Sequence, residues 1–453
     1  MVAYRLCLFI GKAFVAFLRV LWYNINMILE KSIYKSLYGE DANVQSTDRR
    51  LKKLYRNLVS ITNIDKNDEI YMFSSPGRAE LGGNHTDHQK GTAVAMALNL
   101  DILALVKPRS DMKFNVYSDG FNPVEIDLTD LDKVDSEAGT AASLVRGVAA
   151  ALDIKGLKIG GADVVTHSII PRASGLSTSA AFEVLIGNII SFLYNNDIIS
   201  PADIAKASWW AENNYYEKPC GMMDQAASAT GGIIEFNAGC GANGKAEKIK
   251  TKFAGEDFVF IVTNTNSSHS DLTDEYSAIV NEMRAVSEYF GKKVLSEVDK
   301  PEFLSNIKDL RESLKNDRAI LRAIHYFDEN DRAKKMKTAL LKNNLKDFFA
   351  LVNDSGNSSF EFLQNLYVAS NTKEQSAPLA LALSKDFLVG KKGACRIQGG
   401  GFGGCIQAYI AKEDKDAYIA LMDSVFGKGA SVPLAIRDEK AGYITTLIAN
   451  SLV

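Results

Sequence analysis

Apolar positions along the chain fall into two periods, and these divide most of it into predicted strands and helices. Residues 69–75 (EIYMFSS) alternate polar with apolar and predict a strand, which Pro76-Gly77 should break into a loop. Residues 162–170 (ADVVTHSII) predict a second strand, 171–178 a loop of small residues, and 179–194 an apolar helix. Residues 201–216 open with Pro201 and continue with helix formers, so a helix is expected there, followed by a loop over 217–223 that leads to Asp224. In the second half 258–265 reads as a strand, 274–290 as a helix, and 396–411 as a glycine-rich turn running into a strand. Strands and helices mixed in this way indicate the α+β class. No internal repeat or proline-rich linker marks a division, and the domain boundary is placed near residue 230.

The first 30 residues form an apolar extension of a different character. Arg5, Lys12 and Arg19 interrupt it, so it holds no stretch of 18 uncharged residues to span a bilayer. The seven-residue spacing of those cations puts them on one helix face, as in a helix lying at a membrane surface. The competing readings are a secretory signal, although no A-x-A-like site follows, and a start codon assigned too early, with Met27 as the true beginning. Membrane contact is expected only if this segment is a real part of the protein.

Length and charge narrow the possibilities for the rest. A chain of 453 residues suggests two packed units. A formal net charge of −3 with no long basic run leaves no footprint for a nucleic-acid backbone. Cys7, Cys220, Cys240, Cys395 and Cys405 are odd in number and form no C-x-x-C pair, which argues against a disulfide framework and a zinc site and favours the cytoplasm.

Three glycine- or hydroxyl-rich segments hold the candidate chemistry. Every Gly-Lys pair is followed by Ala, Lys or Gly, so there is no Walker-type phosphate loop. Gly399, Gly401 and Gly404 match G-x-G-x-x-G but precede a strand-like run, whereas a dinucleotide fingerprint must open a helix. The loop 171–181 (PRASGLSTSAA) sets small residues and four hydroxyls ahead of an apolar helix, which lets backbone N–H groups surround a phosphate while a hydroxyl reaches a metal ion; a plain helix cap is the alternative. The segment 76–91 (PGRAELGGNHTDHQKG) packs hydrogen-bonding side chains among four glycines, a density suited to a polyhydroxylated ligand. His85 and His88 could instead ligate a metal, although no third His or Cys lies nearby in sequence.

These segments, in this order and with QGGGFGGC at 398–405, resemble the three signature motifs of the galactokinase family within the GHMP superfamily. AEN (211–213), CGMMDQ (220–225) and TNTNSSHSDLTDEY (263–276) resemble the family at matching places, so the likeness runs from about residue 35 to the C-terminus. It implies a two-lobed GHMP kinase fold: a ribosomal protein S5 domain 2-like N-terminal domain over 31–230, a ferredoxin-like C-terminal domain over 231–453, and the active site between them. It implies a monomeric enzyme that uses ATP and Mg²⁺ to phosphorylate galactose at the C1 hydroxyl. Asp224 would be the catalytic carboxylate and Arg78 the cation beside it, where a lowered pKa leaves Asp224 to position and polarise. Ser179 and Glu212 would be the Mg²⁺ ligands. Ala173, Ser174, Gly175, Leu176, Ser177, Thr178 and Ser179 would cradle the ATP phosphates, while Asn84, His85, Thr86, Asp87 and Tyr276 would bind the sugar.

The family's first motif usually reads N-L-I-G-E-H-T-D-Y, whereas this chain has Glu80-Leu-Gly-Gly-Asn-His-Thr-Asp-His88. Asn84 replaces a glutamate that in relatives lies near the C6 hydroxyl, so an acceptor-only group becomes one that also donates. Galacturonate, arabinose and N-acetylgalactosamine therefore become rival substrates. A sugar-sensing regulator that kept the fold and lost catalysis, and a kinase of mevalonate or homoserine, are the remaining alternatives. Ala173 and Thr178 stand where the family commonly has glycine and serine, and neither removes an amide or a hydroxyl.

Overall fold

The computed structural model describes residues 28–39, 42–65, 67–171, 175–241, 244–253, 257–266 and 272–448. The expectations for the N-terminal extension up to Met27, and for Ala173 and Ser174, lie outside these residues. Among the described residues no helix is long and apolar enough to cross a membrane.

Two sheets organise the described residues. The larger has eight strands: β1 (Glu69–Gly82), β2 (Thr92–Pro108), β3 (Lys113–Ser118), β4 (Val124–Asp127), β5 (Ala162–Ser168), β6 (Ile233–Asn237), β7 (Lys245–Lys248) and, from the far end of the chain, β12 (Gly442–Ile448). The order β12-β1-β2-β5-β3-β4 forms its path, with β6 joining β2, and β7 joining β6. The smaller sheet is antiparallel, in the order β11 (Ser431–Leu434), β8 (Phe258–Asn264), β10 (Cys405–Ala411), β9 (Gly393–Ile397). The boundary expected near residue 230 is therefore not where the sheets divide, because β6 and β7 complete the first sheet and β12 returns to it.

The larger sheet is covered on both faces, which explains why β2 reads as a nearly continuous apolar run. Leu103 and Leu105 face helices α1 (Lys31–Tyr38) and α2 (Val44–Ile61), whose Leu51, Leu54 and Leu58 form one stripe. The alternate residues Ala104 and Val106 face α3 (Ala141–Ile154) and α4 (Thr178–Tyr194). Helix α4 is apolar on all sides and buried from Ala180 to Ser191. Next to it run α5 (Pro201–Asn214) and α6 (Met223–Thr230). The second lobe adds α7 (Thr273–Tyr289), α8 (Asp317–Leu341), α9 (Leu345–Ser358), α10 (Ser376–Phe387) and α11 (Lys415–Phe426). Its sheet packs one face on α10 and α11, and the other on Phe348, Phe349 and Val352 of α9.

One local expectation fails. Strand β1 does not stop at Pro76 but runs on to Gly82 with two irregularities in its pairing to β2. Pairing with β12 ends at Ser74, so beyond it β1 is an edge, and a proline without an N–H is tolerated there. The continuation carries Arg78 and Glu80 toward the second lobe.

Candidate active site

A cleft of about 240 Å³ opens where β1, the N-terminus of α4, the start of α6 and the glycine turn between β9 and β10 converge. Arg78 and Glu80 are two apart on β1 and line it together, as the pleat requires. The Arg78 guanidinium grips Asp224 in a bidentate pair, Nε to Oδ1 at 2.7 Å and Nη2 to Oδ2 at 2.8 Å, and its Nη1 donates to the Gly175 carbonyl at 2.6 Å. Ser177 Oγ donates to Asp224 Oδ2. Arg78 is buried, while about a third of the Asp224 side chain faces the cleft (32% exposed). Burial works to raise the Asp224 pKa, but the Arg78 charge and these hydrogen bonds prevail and hold it below the usual carboxylate value.

The loop ahead of α4 is shaped by its neighbours. Gly175 and Ser177 have φ of 64° and 58°, Leu176 is buried as an anchor, and the Leu176 carbonyl accepts from Arg78 N at 3.1 Å. The turn leaves Ser177 and Ser179 on the cleft wall at the start of α4, whose free N-terminal amides favour an anion.

Glu212, on α5, is buried beside that helix start. Ser179 Oγ lies 3.3 Å from its Oε1, Lys218 Nζ 3.1 Å from the same oxygen, and Gln225 Nε2 and Cys220 Sγ donate to Oε2 at 2.7 and 3.2 Å. Glu212 raises the pKa of Lys218, and burial followed by the Glu212 charge pushes the Cys220 thiol up. Ser179 and Glu212 thus present two hard oxygens side by side, a donor set that suits Mg²⁺ when phosphate and water complete the shell. Among the described residues no group of three His, Cys, Asp or Glu side chains is placed to hold a metal, and His85 and His88 form no such set.

The predicted sugar segment divides. His85, Asp87 and Tyr276 line the cleft. Burial lowers the His85 pKa to about 4, so its neutral ring donates from Nε2 to the Gly400 carbonyl at 3.0 Å. Tyr276 Oη donates to the Gly401 carbonyl at 3.2 Å. A Cβ at Gly400 would come within 2.6 Å of the Tyr276 ring, so the glycine permits this approach. Asp87 accepts from Met223 N and His88 N, and burial raises its pKa to about 6. A Cβ at Gly221 would fall 1.8 Å from Asp87 Oδ2, which fixes glycine at 221. Thr86 does not line the cleft; its hydroxyl, at 2.9 Å from Gly83 O and 2.8 Å from Thr92 O, braces the loop from within. Asn84 borders the cleft but spends its amide inward. Its Nδ2 donates to Glu80 and to Gly399 O, and its Oδ1 accepts from Ser359 and Asn365.

Sequence reasoning missed Glu80, Lys218, Cys220 and Arg396. The two-residue offset from Arg78 on a strand was a usable signal for Glu80; Lys218 and Cys220 come from the loop between α5 and α6, and Arg396 from β9 of the other sheet, which no local period connects to the cleft. Arg396 Nη2 donates to Glu80 Oε1 at 2.8 Å across the lobes.

The fold and this cleft define a class, a two-lobed small-molecule kinase of GHMP type. The family model for the GHMP kinases N terminal domain matches residues 143–232, and that for the galactokinase galactose-binding signature matches residues 62–108. The galactokinase of Clostridium tetani is 31% identical over 392 residues, covering 83% of this chain and 92% of its own length. The chain belongs to the galactokinase family. The crystal structure of Lactococcus lactis galactokinase complexed with galactose superposes with a TM-score of 0.73 at 24% identity, over 87% of this chain and 99% of that one. The Methanococcus jannaschii mevalonate kinase reaches only 0.56 at 15% identity, over 81% and 98%.

Proposed function

We propose that the protein is a sugar kinase that transfers the γ-phosphoryl group of ATP to the C1 hydroxyl of galactose. The observation that carries this reading is the Asp224 carboxylate, held by Arg78 and Ser177 and facing a polar cleft at the N-terminus of α4. A carboxylate with a depressed pKa is a weak base, so Asp224 orients the acceptor hydroxyl and takes its proton late, as the P–O bond to the new acceptor forms. Arg78 offsets the charge of Asp224 and of the incoming phosphate. The amides that start α4, with Gly175, Ser177 and Thr178, cradle the phosphates. Ser179 and Glu212 hold Mg²⁺, which when bound would screen the phosphate charge; Lys218 lies against the same carboxylate. His85, Asp87 and Tyr276 bind the sugar from the opposite wall.

The test is ATP-dependent phosphorylation of galactose, galacturonate, arabinose and N-acetylgalactosamine, with Mg²⁺ and with the metal chelated. Metal-dependent turnover of galactose above the other three is expected. Preference for another sugar would overturn the substrate assignment, and sugar binding without turnover would make the protein a sensor.

A further inference from the structure

We propose that Glu329, on α8 of the second lobe, is a positioning residue for the sugar-binding loop and sets sugar affinity rather than the rate of phosphoryl transfer. The inference rests on reading the cleft as the sugar site. Neither Glu329 nor its helical neighbour His325 lines that cleft. Both are fully buried, and they lie four residues apart on one face of α8.

What they touch is the backbone of the loop. Glu329 Oε1 accepts from Gly83 N at 2.8 Å, from Asn84 N at 3.3 Å and from Ser355 Oγ at 2.6 Å, and Arg332 pairs with Oε2. Burial keeps the His325 ring neutral; its Nε2 donates to Asn84 O at 2.9 Å and its Nδ1 accepts from Ser358 Oγ at 2.8 Å. One turn of helix therefore binds three backbone polar groups of two consecutive loop residues: the Gly83 and Asn84 amides and the Asn84 carbonyl.

The loop needs this support. Strand β1 ends at Gly82, so these amides have no ladder partner, and a buried unpaired amide costs on the order of 1–3 kcal/mol. Gly83 and His85 have φ of 91° and 57°, and for His85 the left-handed conformation costs roughly 1–2 kcal/mol. That turn is what places His85 and Asp87 on the cleft wall. Burial opposes the Glu329 charge, but the Arg332 and Arg396 charges and the Ser355 hydrogen bond work against it and its pKa is lowered, so it remains a full acceptor over the working range.

The test uses Glu329→Gln in the full chain, with Ser355→Ala as the milder variant that removes one hydrogen bond from the same carboxylate. For Glu329→Gln the sugar KM should rise at least about tenfold while kcat and the ATP KM stay within about twofold, as expected for an interaction that preorganises the ground-state complex. Ser355→Ala should move the sugar KM the same way by less. Amide hydrogen exchange of residues 83–87 should quicken in Glu329→Gln, a readout that does not depend on turnover. An unchanged sugar KM, or equal losses in both substrates' KM, would overturn the proposal even with galactose turnover intact. If the wild type turned over no sugar, the functional reading would fail, and unchanged protection of 83–87 would still sink the positioning role.

Discussion

Asp87 carries the clearest pH signature of the cleft. Burial raises its pKa to about 6; the Met223 amide opposes the rise, and the charges of Asp224 and Glu80 add to it. Asp224, held below the usual carboxylate value, is already ionised there, and His85 at about 4 is already neutral, so of these three cleft residues Asp87 is the one that titrates near 6. Only its ionised form accepts freely from both the Met223 amide and a sugar hydroxyl. As pH falls below 6 the acceptor is lost, and kcat/KM for the sugar should fall about tenfold per pH unit. The KM for ATP should stay level, and Asp87→Asn should remove the inflection along with most of the sugar affinity. A profile flat between pH 5 and 7 would mean that Asp87 is not a sugar ligand.

Asn84 shows why a site must be argued from elements and not from an isolated position. Against the family pattern the glutamate at 84 has become asparagine, and where that pattern has asparagine this chain has Glu80. The structure places the two side chains in contact at 3.0 Å, so amide and carboxylate have traded places within one hydrogen-bonded pair. The end of β1, the segment from Ser359 to Asn365 that follows α9, and the glycine turn all meet on this pair, and Arg396 neutralises it from β9. Asn84→Glu alone would set a second buried carboxylate against Glu80; an uncompensated buried charge costs about 3–5 kcal/mol, so a lower melting temperature is expected, not a cleaner preference for galactose. The double variant Glu80→Asn/Asn84→Glu should recover most of that loss. Equal instability in single and double variants would refute the exchange. The sequence disclosed the motifs, the small-residue loop before α4 and the Arg78 and Asp224 positions, because each is local or carried by a recognisable order. It did not disclose Arg396, His325 and Glu329, which lie hundreds of residues from the loop they serve, the first on β9 and the other two on a helix, where periodicity reports only burial. It also overvalued Thr86 as a ligand, since a motif position does not say which way a side chain turns.

The whole molecule depends on a comparable long-range tie, a buried charge knot on the far side of the larger sheet. Asp101, fully buried in β2, accepts from Arg50 Nη2 at 2.8 Å, Tyr38 Oη at 2.8 Å and Ser74 Oγ at 2.6 Å, while Arg437 lies at 3.8 Å and donates to Ser74 Oγ. One carboxylate thus joins α1 and α2, the centre of the larger sheet and the segment that leads into β12, so both ends of the described chain are tied to the scaffold that carries Arg78. Asp101→Asn would leave two buried guanidinium groups facing a neutral amide, and breaking such a pair costs about 3–5 kcal/mol. Burial acts to raise the Asp101 pKa, but Arg50 and Arg437 outweigh it and the pKa is lowered on folding. A carboxylate depressed in this way stabilises the fold above its unfolded pKa of about 3.9, and that stabilisation is lost as pH falls through the lower folded value. Urea unfolding should accordingly show a constant gap between wild type and Asp101→Asn from pH 5 to 8, closing only below about pH 4. A gap that widened toward acid, or no gap at neutral pH, would show that the knot is a by-product of packing and that the N-terminal helices are held by their leucine stripe alone.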